Sequence, residues 1–283
     1  MTKKGSAAIP GRWAASLVGL SLACTSAVFA ADPTPLNHGD DLTRPRNQLR
    51  LQQEYSRLPE AGGRDPAKWT TTFRGDLQTG IGGGWRIYGR VDLPLVRSEE
   101  ITSSFNPQGH SRFGAGDLLT EIALVIPPPL PHLGFAFGLR TIWPTAGLNE
   151  TGKGKYQMGP AAAFRLDLPE ISQGTYLLPQ AIYLNSVASR QQNSSRTDIN
   201  QLLFQPTLNI SLPQDWFVSF YADNQIEFNF EGDGGTFVPL DIMLGHTFFD
   251  RLVVSVDYSR SLYHTQDFEP YQWQIEGRVG YLF

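Results

Sequence analysis

Apolar and polar residues alternate with a period of two over most of the chain after residue 69. In the segment 85–95 apolar side chains and one glycine occupy the odd positions, whereas Arg86, Arg90 and Asp92 occupy even positions. In the segment 271–283 aromatic and aliphatic side chains again share one parity, and glutamine, glutamate and arginine share the other. Successive residues of a β-strand point to opposite faces. The pattern therefore predicts strands with one apolar face and one polar face.

The alternation extends over eleven segments, and each is about as long as a tilted strand needs to cross a membrane, roughly 9 to 11 residues or a little more. The segment 176–188 is ambiguous because both of its parities are partly apolar. The predicted strands are 70–80, 84–97, 112–126, 134–144, 156–168, 176–188, 199–212, 216–230, 237–248, 252–264 and 271–283.

The connections between these strands alternate in length. With the C-terminus placed in the periplasm, the predicted external loops are 98–111, 145–155, 189–198, 231–236 and 265–270. The predicted periplasmic turns are 81–83, 127–133, 169–175, 213–215 and 249–251. Long polar loops on one side and generally shorter turns on the other are typical of outer-membrane barrels.

The volume of the apolar rows indicates which face of the barrel they occupy. A small soluble barrel has an interior just wide enough for the side chains of about eight strands, so apolar rows from eleven strands, rich in aromatics, would overfill it. They fit an outer surface that faces lipid, and charges of both signs then line a hydrated lumen. We therefore predict an all-β protein, a transmembrane antiparallel up-and-down β-barrel of about twelve strands. The predicted inward charges are Arg74, Asp76, Arg86, Arg90, Asp92, Asp117, Glu121, Arg140, Arg165, Asp167, Asp223, Glu227, Asp241, Asp257, Glu276 and Arg278.

The odd number of predicted strands leaves the start of the barrel open. Both ends of a bacterial barrel normally lie in the periplasm, which requires an even number. Either a further strand lies upstream of Trp69, or the N-terminal segment passes through the lumen. Leu51, Tyr55 and Leu58 have the spacing of one short amphipathic helix, and an irregular first strand is the alternative. The predicted organisation is a signal peptide at 1–30, a periplasmic or lumenal segment at 31–66 and a barrel at 67–283.

The first residues have the order of a secretory signal peptide. Lys3, Lys4 and Arg12 precede an apolar stretch, and small residues around Ala30 offer a cleavage site. We expect cleavage near Ala30 and a location in the outer membrane of a Gram-negative bacterium, in contact with outer-membrane lipid. Removing these three cations changes the formal charge from −4 to −7, which makes nucleic acid an improbable partner. The only cysteine, Cys24, lies inside the signal, and Ser21 stands where a lipoprotein signal has an aliphatic residue.

An ordered series of short motifs resembles the family of outer-membrane proteins associated with meta-pathway phenol degradation. The resemblance covers about residues 70–283 and implies a channel for hydrophobic or aromatic compounds. One departure is Ala146, because the family usually has glycine directly after the Pro-Thr pair. The motifs are Phe113-Gly114-Ala115-Gly116-Asp117, Trp143-Pro144-Thr145-Ala146-Gly147, Thr151-Gly152-Lys153-Gly154-Lys155 and Gly159-Pro160.

These motifs can also be interpreted from the chemistry of their residues alone, without the family resemblance. Pro144 and Thr145 end a strand, and the stretch 147–155 is rich in turn-forming residues. It is either loop structure alone or a loop that contacts a solute. Asp117 points inward, where it either pairs with a lumenal arginine or belongs to a solute path.

The predicted function is a channel for uptake of small hydrophobic or aromatic solutes, with an outer-membrane enzyme and a structural or adhesive barrel as alternatives. The inward charges either fill the barrel by pairing or form a gate. The residues assigned to the lumen and permeation path are Arg86, Arg90, Asp92, Asp117, Glu121, Arg140, Arg165, Asp223, Glu227 and Asp241.

Catalytic and metal sites have little support in the sequence. The five histidines lie on separate segments, so we expect no metal and no cofactor. His264 follows Ser259 and Ser261 at a strand end, but residues an odd number apart on a strand point to opposite faces. We therefore expect no catalytic dyad.

The C-terminal strand generates the first testable prediction. Tyr281 and Phe283 close an alternating strand with an aromatic last residue, which resembles the signal read by the barrel-insertion machinery. Deleting Phe283 should sharply reduce the folded, heat-modifiable barrel in membranes. Unchanged levels of folded barrel would contradict this prediction.

Overall fold

The structure is a computed structural model that describes residues 40–103, 106–189, 197–265 and 268–283. The chain divides into two compact units, Met1–Thr34 and Pro35–Phe283, and every described residue belongs to the second. The predicted signal peptide and its cleavage near Ala30 lie outside the described residues.

The described part of the chain folds into fourteen β-strands and no helix. Accordingly, it holds no helix long and apolar enough to cross a membrane. The strands are β1 Gln48–Arg57, β2 Ala67–Gly82, β3 Trp85–Glu99, β4 Arg112–Ala115, β5 Leu118–Ile126, β6 Leu133–Trp143, β7 Lys155–Asp167, β8 Tyr176–Ser189, β9 Asn200–Ser211, β10 Trp216–Phe220, β11 Ile226–Asn229, β12 Gly235–Phe248, β13 Leu252–His264 and β14 Trp273–Leu282.

Two pairs of short strands each form one interrupted strand of the wall. Both β4 and β5 pair with β3, and both β10 and β11 pair with β9 and β12. The wall therefore has twelve antiparallel strands, and pairing of β1 with β14 closes it. The predicted fold class is confirmed. All eleven strands expected from the alternation are present, two of them interrupted at 116–117 and 221–225.

The prediction of a short helix around Leu51 is wrong, because residues 48–57 form β1. Leu51 pairs with Val279 on one side and with Phe73 on the other. The helical spacing of Leu51 and Tyr55 also places both on the outer face of a strand, so spacing alone did not distinguish the two structures. Strand pairing distinguishes the two structures, because a helix at residues 48–57 would leave the facing edges of β2 and β14 without hydrogen-bond partners. The barrel thus begins at Gln48, not at residue 67.

Burial of the side chains follows the alternation, with apolar residues outside and charged residues inside. Leu49, Phe73 and Ile122 are 62%, 51% and 64% exposed, whereas the side chains of Asp76 and Glu121 are buried in the lumen. This distribution is the reverse of that in a water-soluble protein. It fits a barrel whose outer face lies in hydrocarbon.

The two ends of the barrel differ in their connections. The termini of the wall share one end with the connections 83–84, 127–132, 168–175, 212–215 and 249–251, which we name the turn end. The other end, named the loop end, carries the generally longer connections 58–66, 100–111, 144–154, 190–199, 230–234 and 265–272.

The β1–β14 pairing predicts a specific cross-link. Leu51 and Val279 are register partners on the outer face, and paired strand residues lie within the distance a disulfide spans. The double variant Leu51→Cys with Val279→Cys should therefore cross-link on oxidation with copper phenanthroline, which changes the mobility of the heated, non-reduced chain on a gel. Leu51→Cys with Ile275→Cys, which is four residues out of register, should not. Equal cross-linking of both pairs would contradict the assignment of β1.

Candidate solute cavity in the barrel lumen

A cavity of about 510 Å³ lies inside the barrel. Most of its lining comes from inward side chains of the wall. Segments that do not belong to the wall contribute Asp40 and Leu42, residues 149–153, and Asp223 and Gln225. These segments narrow a lumen that twelve strands alone would leave open.

One side of the cavity is apolar. Leu119 and Ile142 face each other across the β5–β6 ladder. Leu184 on β8 and Leu203 on β9 pack in one cluster, and Ile142 packs against it. These four residues on β5, β6, β8 and β9 form an aliphatic part of the lining, which we name the aliphatic side. The strands β7, β8 and β9 also contribute Gln157, Gln180, Gln201 and Gln205 to the lining.

The adjoining part of the lining, on β2 and β3, carries charges that neutralise one another. Arg74 donates two hydrogen bonds of 2.7 Å to the two carboxylate oxygens of Asp92. Arg90 donates to Asp76 at 2.9 Å, and the Tyr88 hydroxyl donates to the same carboxylate at 2.6 Å. Because each arginine has a carboxylate at hydrogen-bond distance, this wall offers paired charges rather than a net field.

A further pair lies at the edge of the apolar side. Arg140 on β6 donates to Glu121 on β5 at 2.8 Å through Nε, as expected for opposite charges on neighbouring strands. The pairing expected from the sequence therefore forms between Glu121 and Arg140. Arg90 and Asp92 instead pair with residues on β2.

The interruption between β10 and β11 places residues 221–225 inside the lumen. Gln205 donates to the carbonyl oxygens of Tyr221 and Ala222 at 3.0 and 2.7 Å, which fixes the start of the segment to β9. Asp223 then reaches the opposite side of the barrel, 3.5 Å from Arg278 and 3.9 Å from Arg74. This inward segment narrows the cavity.

Residues 40–47 also lie inside the barrel, at its turn end. Asp41 accepts a hydrogen bond from Arg165 at 3.1 Å, Arg44 pairs with Asp167 on the same strand, and Asp40 pairs with Arg50 at 2.7 Å on β1. The segment therefore joins opposite sides of the wall. The odd strand count had two explanations, a further strand upstream of Trp69 or an N-terminal segment in the lumen. Both hold in part, because β1 precedes Trp69 and residues 40–47 occupy the lumen.

The two carboxylates of this segment differ in their electrostatics. Burial raises the pKa of Asp41 despite hydrogen bonds from Thr43. Burial would also raise the pKa of Asp40, but the positive charges of Arg50 and Arg278 outweigh it and lower that pKa. Leu42, between them, packs among inward apolar side chains that include Tyr88 and Leu178. Ion pairs and apolar contacts thus hold the segment together.

Asp117 binds the backbone of a loop and not a lumenal arginine, which corrects one expectation from the sequence. Its carboxylate accepts hydrogen bonds from the N–H groups of Ala146 at 3.1 Å and Lys153 at 2.6 Å, with a weaker contact to Gly154 at 3.4 Å. Gly116 and Asp117 lie in the gap between β4 and β5, which frees the Asp117 side chain to reach the loop. The carboxylate therefore draws the connection 144–154 over the cavity.

Other members of the sequence motifs hold the same loop. The Thr145 hydroxyl donates to the Gly116 carbonyl oxygen at 2.9 Å, and the Thr151 hydroxyl donates to the Ala115 carbonyl oxygen at 2.9 Å. A Cβ atom on Gly152 would lie 2.5 Å from an Asp117 oxygen, so only glycine fits there. These motif residues thus build one loop anchor, with Pro144 and Gly147 at its start.

The final motif residues, Gly159 and Pro160, lie in β7 between Met158 and Ala161, which pair with β8 in one register. A Cβ atom on Gly159 would overlap the Tyr183 carbonyl oxygen. The glycine therefore permits a close approach of the two backbones beside the cavity.

The residues assigned from sequence to the permeation path separate into two groups. Arg90, Asp92, Asp117, Arg140, Asp223 and Glu227 line the cavity. The other four do not: Arg86 has the inward parity but lies exposed beside the first turn, Glu121 lies behind Arg140, Arg165 binds the N-terminal segment, and Asp241 binds the 221–225 segment. Parity gives the face of a residue but not its depth in the lumen.

The apolar side of the cavity was not predicted as part of a site. Its sequence signal was the ambiguous segment 176–188, in which both parities are partly apolar. In β8 the inward residues Leu178, Ile182 and Leu184 are all buried. Departure from alternation thus marks the place where the lumen itself is apolar.

His264 and Ser259 make separate contacts. The Ser259 hydroxyl contacts the Leu240 carbonyl oxygen and the Tyr271 hydroxyl, whereas His264 lies 3.7 Å from Glu269. No hydrogen bond described in the structure joins the two residues.

Comparison with known proteins gives matches to solved structures only. No family model matches the chain, and no curated protein matches it. The fold is similar to that of an outer membrane channel from Pseudomonas putida F1, with a TM-score of 0.63 at 12% identity over 91% of this chain and 99% of that chain. Weaker similarities include the NanC porin, with a TM-score of 0.48 at 11% identity over 84% of this chain and 98% of that one, and a mutant of the TodX monoaromatic hydrocarbon channel, with a TM-score of 0.46 at 9% identity over 88% and 92%.

The Asp117 anchor predicts a change in loop order. Asp117→Asn keeps the shape but loses the charge that strengthens the bonds from the N–H groups of residues 146, 153 and 154. Trypsin should then cleave after the exposed Lys153 at least several-fold faster in reconstituted barrels. Asp233→Asn, on another exposed connection, is the control and should cleave at the wild-type rate. Equal rates for all three proteins would contradict the anchor.

Proposed function

We propose that the protein is an outer-membrane channel for uptake of small hydrophobic or aromatic compounds. The observation that carries the proposal is the cavity of about 510 Å³ inside a barrel with an apolar outer face. Its volume suits a small organic molecule. Its aliphatic side, formed by Leu119, Ile142, Leu184 and Leu203, offers an apolar body somewhere to bind.

The electrostatics of the lumen support a solute path rather than an open ion pore. Arg74, Arg90 and Arg140 each pair with a carboxylate, and a pair of charges attracts a passing ion less than a single charge does. Three segments that do not belong to the wall also fill part of the lumen. We therefore propose low ionic conductance.

The location in the outer membrane rests on the fold and on the sequence. The fold resembles that of an outer membrane channel, the N-terminus has the pattern of a secretory signal, and the loop end would face the exterior. The motif resemblance to the family associated with phenol degradation supports solutes of the aromatic class. The outer-membrane lipid and the barrel-insertion machinery are the proposed partners.

Two alternatives from the sequence lead to different measurements. A lipid hydrolase would release fatty acid or alcohol from ester substrates when purified, and an adhesive barrel would change cell attachment without changing solute uptake.

A substitution that fills the cavity tests the channel. Leu203 lines the cavity, whereas Leu93 is 55% exposed on the outer face. In a strain that lacks the chromosomal copy, Leu203→Trp should lower the uptake rate of a labelled aromatic hydrocarbon several-fold, because the indole occupies the path. Leu93→Trp should support wild-type uptake. Both variants must be heat-modifiable, which reports folding, and wild-type uptake by a folded Leu203→Trp barrel would refute the channel.

A further inference from the structure

Gln157 differs from the other described polar groups around the cavity because its buried side-chain amide has no partner in the part of the chain that the structure describes. The residue lies on β7, points inward, lines the cavity and is 1% exposed. Neither its Nε2 nor its Oε1 has a hydrogen-bond partner in the described part of the chain. A buried donor and acceptor without partners lower the stability of the fold.

Gln157 has an apolar register partner on one side and a polar one on the other. Ile142 is its partner on β6 and Ser186 its partner on β8, and Ile142 packs against the cluster that contains Leu184. On the loop side, Lys155 is buried and pairs with Asp198 at 2.9 Å. The amide therefore lies at the aliphatic side of the cavity, away from the paired charges of β2 and β3.

The chemistry of an amide restricts which ligand would satisfy it. Nε2 donates and Oε1 accepts, so a complementary group must both accept and donate. A hydroxyl does both, a ketone only accepts, and a carboxylate only accepts and would lose its hydration against the aliphatic side chains. The aliphatic surface beside the amide suits the hydrocarbon body of the same molecule.

We propose that Gln157 is the polar recognition group of a binding site for small neutral solutes that carry a hydroxyl group on an apolar body. The inference deepens the proposed channel function and rests on it. The hydroxyl exchanges hydrogen bonds with the Gln157 amide, while the body lies against Ile142, Leu184, Leu119 and Leu203. A solute without a polar group occupies the same cavity more weakly, because its binding leaves the amide unsatisfied.

Binding to the full barrel in lipid nanodiscs tests this site with four probes of similar shape. These are cyclohexanol, cyclohexanone, methylcyclohexane and cyclohexanecarboxylate, and empty nanodiscs correct for partition into lipid. Two hydrogen bonds correspond to about a tenfold difference in affinity. Cyclohexanol should therefore bind about tenfold more tightly than methylcyclohexane, with cyclohexanone between them and the carboxylate weakest.

The variant Gln157→Leu should remove this preference, so that cyclohexanol and methylcyclohexane bind within about twofold of each other. It should also keep or raise the melting temperature, because it replaces an unsatisfied amide with an apolar group of similar size. Gln180→Leu, in the same cavity on β8, is the matched control and should retain the preference for cyclohexanol. A merely structural glutamine would instead give a lower melting temperature with unchanged ligand preference.

The outcomes separate this inference from the channel itself. If wild-type barrels bind cyclohexanol and methylcyclohexane equally, or if Gln157→Leu keeps the preference, water or another protein group satisfies the amide and the inference is wrong, even where uptake is normal. If the preference depends on Gln157 but no solute is taken up, the site stands and the channel function fails.

Discussion

Closure of the backbone hydrogen bonds is the constraint on which the rest of the structure depends. In hydrocarbon an unpaired N–H or C=O group costs several kcal/mol, so a sheet that faces lipid must have no free edge. Pairing of β1 with β14 meets this requirement. The requirement also explains why residues 48–57 form a strand although part of their apolar spacing suits a helix.

Once the sheet is closed, the width of the barrel creates a second problem. Twelve strands enclose more space than the side chains of the wall can fill. Three segments enter this space, at 40–47, 144–154 and 221–225, and carboxylates hold all three. Asp41 pairs with Arg165, Asp117 accepts backbone N–H groups, and Asp223 lies between Arg74 and Arg278. These acidic residues anchor chain segments, whereas Asp76, Asp92 and Glu121 pair with arginines of the wall.

The remaining space combines two kinds of surface. On the charged side, guanidinium and carboxylate groups satisfy one another, which stabilises the barrel and leaves little free charge for a solute. On the aliphatic side, the amide of Gln157 has no hydrogen-bond partner among the described residues. A group that lowers stability where it stands is better explained by binding than by folding. The position of unsatisfied polar atoms is therefore more informative about function here than the number of charges.

The sequence by itself determined eleven of the twelve strands of the wall, their faces and the fold class, because the alternation of residues and the length of a membrane-crossing strand are local properties. It also placed the charges of β3, β5 and β6 on the inner face. Only the tertiary structure decided that residues 48–57 are a strand, that Asp117 holds a loop, and which inward residues line the cavity. These outcomes depend on partners far away in the chain, such as Val279 for Leu51 and Lys153 for Asp117. Parity along one strand contains no information about what lies across the lumen.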